Sequence, residues 1–255
     1  MSVWDVYNNR CDVRGQTKRD ASLKRELWSI NNKMSDSLSF HTVAIDENKR
    51  DVVILNSDNL NEKTIISMPG EYIPSGSLVN WEDNWWLVTE CDANREIYSK
   101  AKMLQCNHLL HWIDNNGTIH ERWCIIEDGT KYLTGELEDN HFIVTRGDSR
   151  IAMTITRNEY TSQFRRDNRF LIDDPLSPHK LAYALTKPLK IGTTFNDEGI
   201  YKFVLQEVSA TEYDNHELGV ADYYKYFTKE SSDHSKQATI DPKNNKTDDG
   251  REVWL

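Results

Sequence analysis

The chain has 255 residues, 38% of them hydrophobic and 28% charged, with a formal net charge of −10. This is enough apolar material for a large core in one or two domains, while runs such as WWLV fall far short of the roughly 20 residues of a membrane span. The acidic balance argues against a protein that grips nucleic acid by its phosphates, since that requires clustered Lys and Arg.

The N-terminal segment, residues 1–37, predicts one amphipathic helix over residues 16–31. Thr17 is the predicted N-cap. The apolar residues of the predicted helix fall close to a single helical stripe: Ala21, Leu23, Leu27, Trp28 and Ile30. The first ten residues lack the apolar centre of a signal peptide, so we expect assembly in the cytoplasm.

Two basic clusters stand out in this acidic chain. Their members are Lys18, Arg19, Lys24 and Arg25 in the predicted helix, and Arg165, Arg166 and Arg169 further on. They are either solvated faces offset by neighbouring acids or parts of a protein interface.

Residues 38–110 predict a first, compact β-domain, because short β-type runs alternate there with turns. In the run NWWLVTE, Trp86 and Val88 point to one face of a strand and are predicted to fill the core. Trp85 and Leu87 then cover a second surface, with Trp81 packed nearby. Acidic neighbours disfavour base stacking on these rings, so core plus protein interface is the preferred interpretation.

Residues 111–228 predict a second β-rich region, and the sequence leaves open whether it forms one domain with the first. The pairs Asn116-Gly117 and Asp128-Gly129 are typical of tight hairpin turns between antiparallel strands. Residues 229–255 predict an extended polar arm that ends in the apolar residues Val253, Trp254 and Leu255. We expect this tip to dock on a partner.

No catalytic, metal or cofactor site is predicted. The group Cys106, His108 and His111 resembles a set of zinc or copper ligands, but strand geometry places His111 on the opposite face. Established catalytic motifs are absent, which leaves an enzyme that uses Asp167, Asp173 or His111 as a minor alternative.

Several longer stretches resemble a known class of proteins. The segments RGQTKRDASLKRE, GSLVNWEDNWWLVTECDANREIYSKAKMLQCNHLLHW and RFLIDDPLSPHKLAYALTKPLKIG are similar to structural proteins of tailed phages of Gram-positive gut bacteria. The phrase G-x-x-V-x-W-x-x-x-x-W-L-V resembles a barrel strand pair of head-closure and head-tail joining proteins. The resemblance covers about residues 1–228.

The resemblance implies a virion structural protein of the neck, in which β-barrels form a cyclic homo-oligomer, a hexamer or dodecamer. Such a ring joins the portal and capsid to the tail and retains or passes the genomic DNA, without sequence-specific binding or a cofactor. A tail-terminator or baseplate protein is the nearest alternative, and a carbohydrate- or receptor-binding β-module is a more distant one.

Overall fold

The computed structural model describes residues 3–4, 17–92, 97–128, 149–174, 176–191, 194–195 and 198–226. These residues form one long N-terminal helix and two antiparallel β-structures, which confirms the mainly β prediction. Within this part of the chain, the helix is not apolar enough to cross a membrane. The predicted C-terminal arm lies outside the described residues.

Helix α1 spans Lys18–Ser35 and begins at a complete capping box. The amide of Asp20 donates to Thr17 Oγ1 at 3.1 Å, and the amide of Thr17 donates to Asp20 Oδ2 at 3.2 Å. This reciprocal pair satisfies backbone donors that the first turn leaves unpaired. The helix and its Thr17 cap therefore follow the sequence prediction, although none of the helix residues is buried.

The first β-structure is a closed six-stranded barrel with strand order β1-β2-β3-β6-β5-β4. Pairing of β4 with β1 closes it, through Ala44 opposite Asn80 and Ile45 opposite Val79. Closure leaves no free sheet edge. The strands are β1 Phe40–Ile45, β2 Asn48–Asn56, β3 Glu62–Ser67, β4 Leu78–Trp81, β5 Asn84–Cys91 and β6 Lys100–Gln105.

The barrel interior is mainly aliphatic, and the two predicted core residues Trp86 and Val88 lie in it. Two-residue turns connect β1 to β2 and β4 to β5. All four turn residues have positive φ, which type I′ hairpin turns require: Asp46, Glu47, Glu82 and Asp83. Acidic residues therefore occupy turn positions where Asn and Gly are more usual.

The second β-structure follows the order β10-β11-β13-β9-β8-β7, with β12 paired to β13. The edge strands β10 and β7 lie beside each other, so this sheet also curls around its core. Its strands are β7 His108–Ile113, β8 Ile119–Asp128, β9 Arg150–Thr156, β10 Arg169–Ile172, β11 Leu181–Leu189, β12 Thr194–Phe195 and β13 Glu198–Val208.

The first predicted hairpin of this region is confirmed, since β7 and β8 pair antiparallel around Gly117 with its φ of 82°. Gly129 of the second predicted hairpin turn lies outside the described residues. The core of this sheet is rich in aromatic rings, among which Phe164 makes edge contacts with Trp112 at 5.2 Å and Phe170 at 5.0 Å.

Candidate functional site

The barrel and the second sheet meet at a shared apolar junction. Its buried members are Leu78, Leu87, Cys106, Ile125 and Ile200. Trp85 of the barrel stacks on Trp123 of the second sheet, with ring centroids 6.2 Å apart and planes 18° apart. The outer face of strand β5, predicted to cover a second surface, therefore packs against the chain's own second sheet.

Backbone contact brings the two β-structures closer than side chains would permit. Gly76 has a φ of 91°, and a Cβ built on it would lie 2.1 Å from the carbonyl oxygen of Gly199. The amide of Gly199 donates to the carbonyl of Ser75 at 3.0 Å, and the Tyr72 hydroxyl donates to Glu198. Glycine at position 76 is needed both for its φ and for this approach.

A cavity of about 570 Å³ opens beside this junction. Three of its lining residues hold a buried polar atom that has no hydrogen-bond partner: Ser77 Oγ, Arg122 Nε and Thr156 Oγ1. Such groups are uncommon, because an unsatisfied buried donor or acceptor costs about 1–3 kcal/mol. These three atoms are enclosed by the protein, so they lie behind the cavity wall and not on its surface.

The charges around the cavity are mixed but mainly acidic. Asp46, Glu121 and Glu198 line it together with Arg122 and Arg157. Asp46 Oδ1 accepts from the Leu78 amide at 3.0 Å, and Glu121 lies 3.5 Å from His111. The indoles of Trp85 and Trp123 supply an apolar wall.

The other predicted interface residues lie far apart in sequence and on different elements. Trp81 is half-buried, with its ring 5.1 Å from His41 and 6.0 Å from Trp86. The helix side chains Lys18, Arg19, Lys24 and Arg25 are exposed. The residues Val253, Trp254 and Leu255 lie outside the described part of the chain.

Arg165 and Arg166 are exposed in the turn before β10. The Asn168 side chain holds this turn by accepting from the Arg165 amide at 2.8 Å, and Arg166 Nε donates to the Thr186 carbonyl at 3.2 Å. A smaller cavity of about 300 Å³ opens beside the turn. The guanidinium groups therefore face solvent at one end of the second sheet.

The third arginine of this cluster, Arg169, is instead part of an ion-pair network that sequence reasoning did not find. It binds Asp214 through both terminal nitrogens at 3.0 and 2.8 Å, and Asp222 at 2.8 Å. Burial disfavours ionisation of Asp214, but hydrogen bonds from Arg169 and from the amides of Asp222 and Thr211 outweigh it and lower its pKa. The network fastens residues 209–222 to strand β10.

The residues Cys106, His108 and His111 form no ligand set. Burial raises the pKa of Cys106 to about 12, and burial together with nearby Lys180 and His111 lowers that of His108 to about 4. His111 instead pairs with Glu121. In the described ranges, no three His, Cys, Asp or Glu side chains are grouped as a metal site would require.

The two aspartates considered for an enzyme lie just before and just after strand β10. Asp167 lies in the turn before β10 with a φ of 70°, and its amide donates to the Leu185 carbonyl at 2.9 Å. Asp173 accepts from the amide of Asp174 at 2.7 Å. His111 lies on strand β7, where it pairs with Glu121.

The architecture is that of a two-part antiparallel β-protein with an N-terminal helix, and comparison with known proteins adds one family. Residues 17–105, the helix together with the closed barrel, match the family described as the YomX N-terminal domain. This family is associated with bacteriophages. The match covers about a third of the chain, and the similarity of that part to a phage-associated family is consistent with a phage protein.

No curated protein matches the chain. A solved structure titled "MrkH, A novel c-di-GMP dependence transcription regulatory factor" aligns with 83% of this chain and 92% of its own, at 11% identity and a TM-score of 0.24. A similarity this low supports no conclusion about fold or function.

Proposed function

We propose that this protein is a virion structural protein of the phage neck, which forms a ring between the portal and the tail. The observation on which the proposal rests is the phage-associated match over residues 17–105, which includes both the helix and the whole closed barrel. A capped helix that buries none of its residues within its own chain is also suited to contacts between subunits.

The charge of the chain is compatible with this role. A net charge of −10 in every copy would line a ring with acidic groups, past which DNA phosphates slide with little adhesion. In this role the protein is not an enzyme and needs no cofactor. Its partners are other copies of itself, the portal and the neighbouring neck or tail proteins.

The test is native mass spectrometry of the full chain, alone and mixed with portal and tail-completion proteins of the same phage. A closed hexamer or dodecamer, or a stoichiometric ring bound to the portal, is the expected result. Binding only to a tail-tube or baseplate protein would favour the tail alternative. A monomer that binds none of these proteins would overturn the connector proposal.

The junction cavity favours one other function, binding of a carbohydrate. Saccharides pair hydroxyl groups with polar side chains and place their apolar faces on aromatic rings, and the cavity combines two indoles with several acidic side chains. Glycan arrays with the full chain test this idea, with Trp85→Ala as the variant expected to lose binding. Absence of saturable binding to any glycan would eliminate it.

A further inference from the structure

Helix α1 carries an apolar stripe that joins none of the hydrophobic clusters of the described residues. Its half-buried apolar side chains recur at helical spacing along one stripe: Leu23, Leu27, Ile30 and Met34. No helix residue belongs to any of the hydrophobic clusters of the described chain, and Trp28, on a different face of the helix, is 71% exposed. An 18-residue helix with so little packing is marginally stable in water, so tertiary or subunit contacts must supply most of its stability.

The charges of the helix and the barrel are opposite. Lys18–Ser35 includes five basic and two acidic residues, a net charge of +3. Residues 40–105 include eleven acidic and six basic residues, a net charge of −5. A basic helix is thus attracted to the acidic barrel, which every other copy of this chain also presents.

Three exposed leucines lie at one end of the barrel. We call Leu38, Leu55 and Leu60 the leucine patch; their exposed fractions are 101%, 40% and 85%. The Ile54 amide donates to the Ser39 carbonyl, which places Leu38 beside Leu55, and Leu60 lies in the connection from β2 to β3 at the same barrel end. Exposed Asp58 lies in that connection.

We propose that helix α1 of one copy docks on the barrel of a second copy, with its apolar stripe on the leucine patch and its basic side chains against the acidic barrel surface. The contact is heterologous, since helix and patch are different surfaces of the same chain, and repetition of such a contact can close a ring. The inference deepens the proposed function, on which it rests for the ring, by naming the contact between neighbouring subunits.

The test is sedimentation velocity of the full chain and of Leu27→Glu/Ile30→Glu. The control Ser22→Glu/Asn32→Glu adds the same charge outside the stripe, at two residues that are exposed. We expect the stripe variant to weaken self-association at least about tenfold and the control to resemble the parent. Because no helix residue is buried, thermal unfolding of the monomer should change little in either variant.

A second variant makes the test specific for the partner surface. Leu60→Asp alters only the leucine patch and should also self-associate poorly, whereas a mixture of it with Leu27→Glu/Ile30→Glu should form pairs through one intact helix and one intact patch. Association should also weaken as salt rises from about 0.05 to 0.5 M, because salt screens the opposite charges.

Three results would overturn the proposal. They are a stripe variant that associates like the parent, a mixture that does not pair, and a parent chain that stays monomeric at every concentration. In the first two cases a ring formed by the parent, or its binding to the portal, would leave the connector role intact. In the third case the portal mixture would decide that role separately.

Discussion

The barrel and the second sheet are held together by different means. The barrel is closed by strand pairing, and its core is mainly aliphatic with one tryptophan, Trp86. The second sheet brings its edges together around aromatic rings and adds a charged network in which the Asp214 side chain is 0% exposed. The barrel therefore combines closed strand pairing with a mainly aliphatic interior, whereas the second sheet depends more on a few large or charged groups.

The largest expected effect comes from removing the cation of that network. Arg169→Ala leaves the buried Asp214 carboxylate uncompensated, so we expect the free energy of unfolding to fall by about 3–5 kcal/mol. Urea denaturation measures this loss of unfolding free energy. Lys225→Ala is the control, because this exposed lysine also pairs with Asp222 at 3.3 Å and should contribute no more than about 1 kcal/mol. Equal losses in the two variants would contradict the assigned role of Arg169.

A somewhat smaller effect is expected where the two regions meet. Gly76→Ala adds a Cβ that collides with Gly199, and we expect a loss of about 2–3 kcal/mol. Gly70→Ala is a matched control, since Gly70 has a similar φ of 87° with nothing within 4 Å of the added Cβ. It should lose only the conformational part, about 1–2 kcal/mol. Similar losses of unfolding free energy in Gly76→Ala and Gly70→Ala would mean that the barrel and the second sheet can move apart at Gly76 at little cost.

The ion-pair network of Arg169, Asp214 and Asp222 also makes the stability of the second sheet depend on pH. The lowered pKa of Asp214 means that its stabilising contribution is present above the ordinary carboxyl pKa of about 3.9 and is lost as the pH falls through the folded value. Unfolding free energies measured below about pH 4 should therefore decline more in the parent than in Asp214→Asn. If the unfolding free energies of the parent and of Asp214→Asn declined equally with falling pH, the protonation of Asp214 would not be linked to folding.

The smallest expected effect concerns the rates at which a reagent modifies the cysteine thiols, which report local opening of the structure. Cys106 in the junction and Cys124 in the second core are buried with raised pKa values, whereas Cys91 at the barrel is half-buried. In a Cys11→Ser background, we expect a thiol reagent to modify Cys91 first and the others only through opening. Gly76→Ala should accelerate modification of Cys106 more than that of Cys124. Rapid modification of all three would contradict a closed junction.

Local features were predictable from the sequence. The capping box at Thr17, the hairpin at Gly117 and the alternation that sends Trp86 and Val88 into the barrel all depend on residues close in the chain. What Trp85 and Leu87 contact was not predictable, because alternation gives the face of a strand but not what covers it.

The sequence by itself determined a mainly β chain with one amphipathic helix, since periodicity and turn residues act over a few positions. Only the tertiary structure decided that β4 closes the barrel on β1, and that Arg169 meets carboxylates 45 and 53 residues further along the chain. The junction cavity arises in the same way, from strands of both β-structures. Such contacts depend on which surfaces bury each other, and no local pattern specifies that choice.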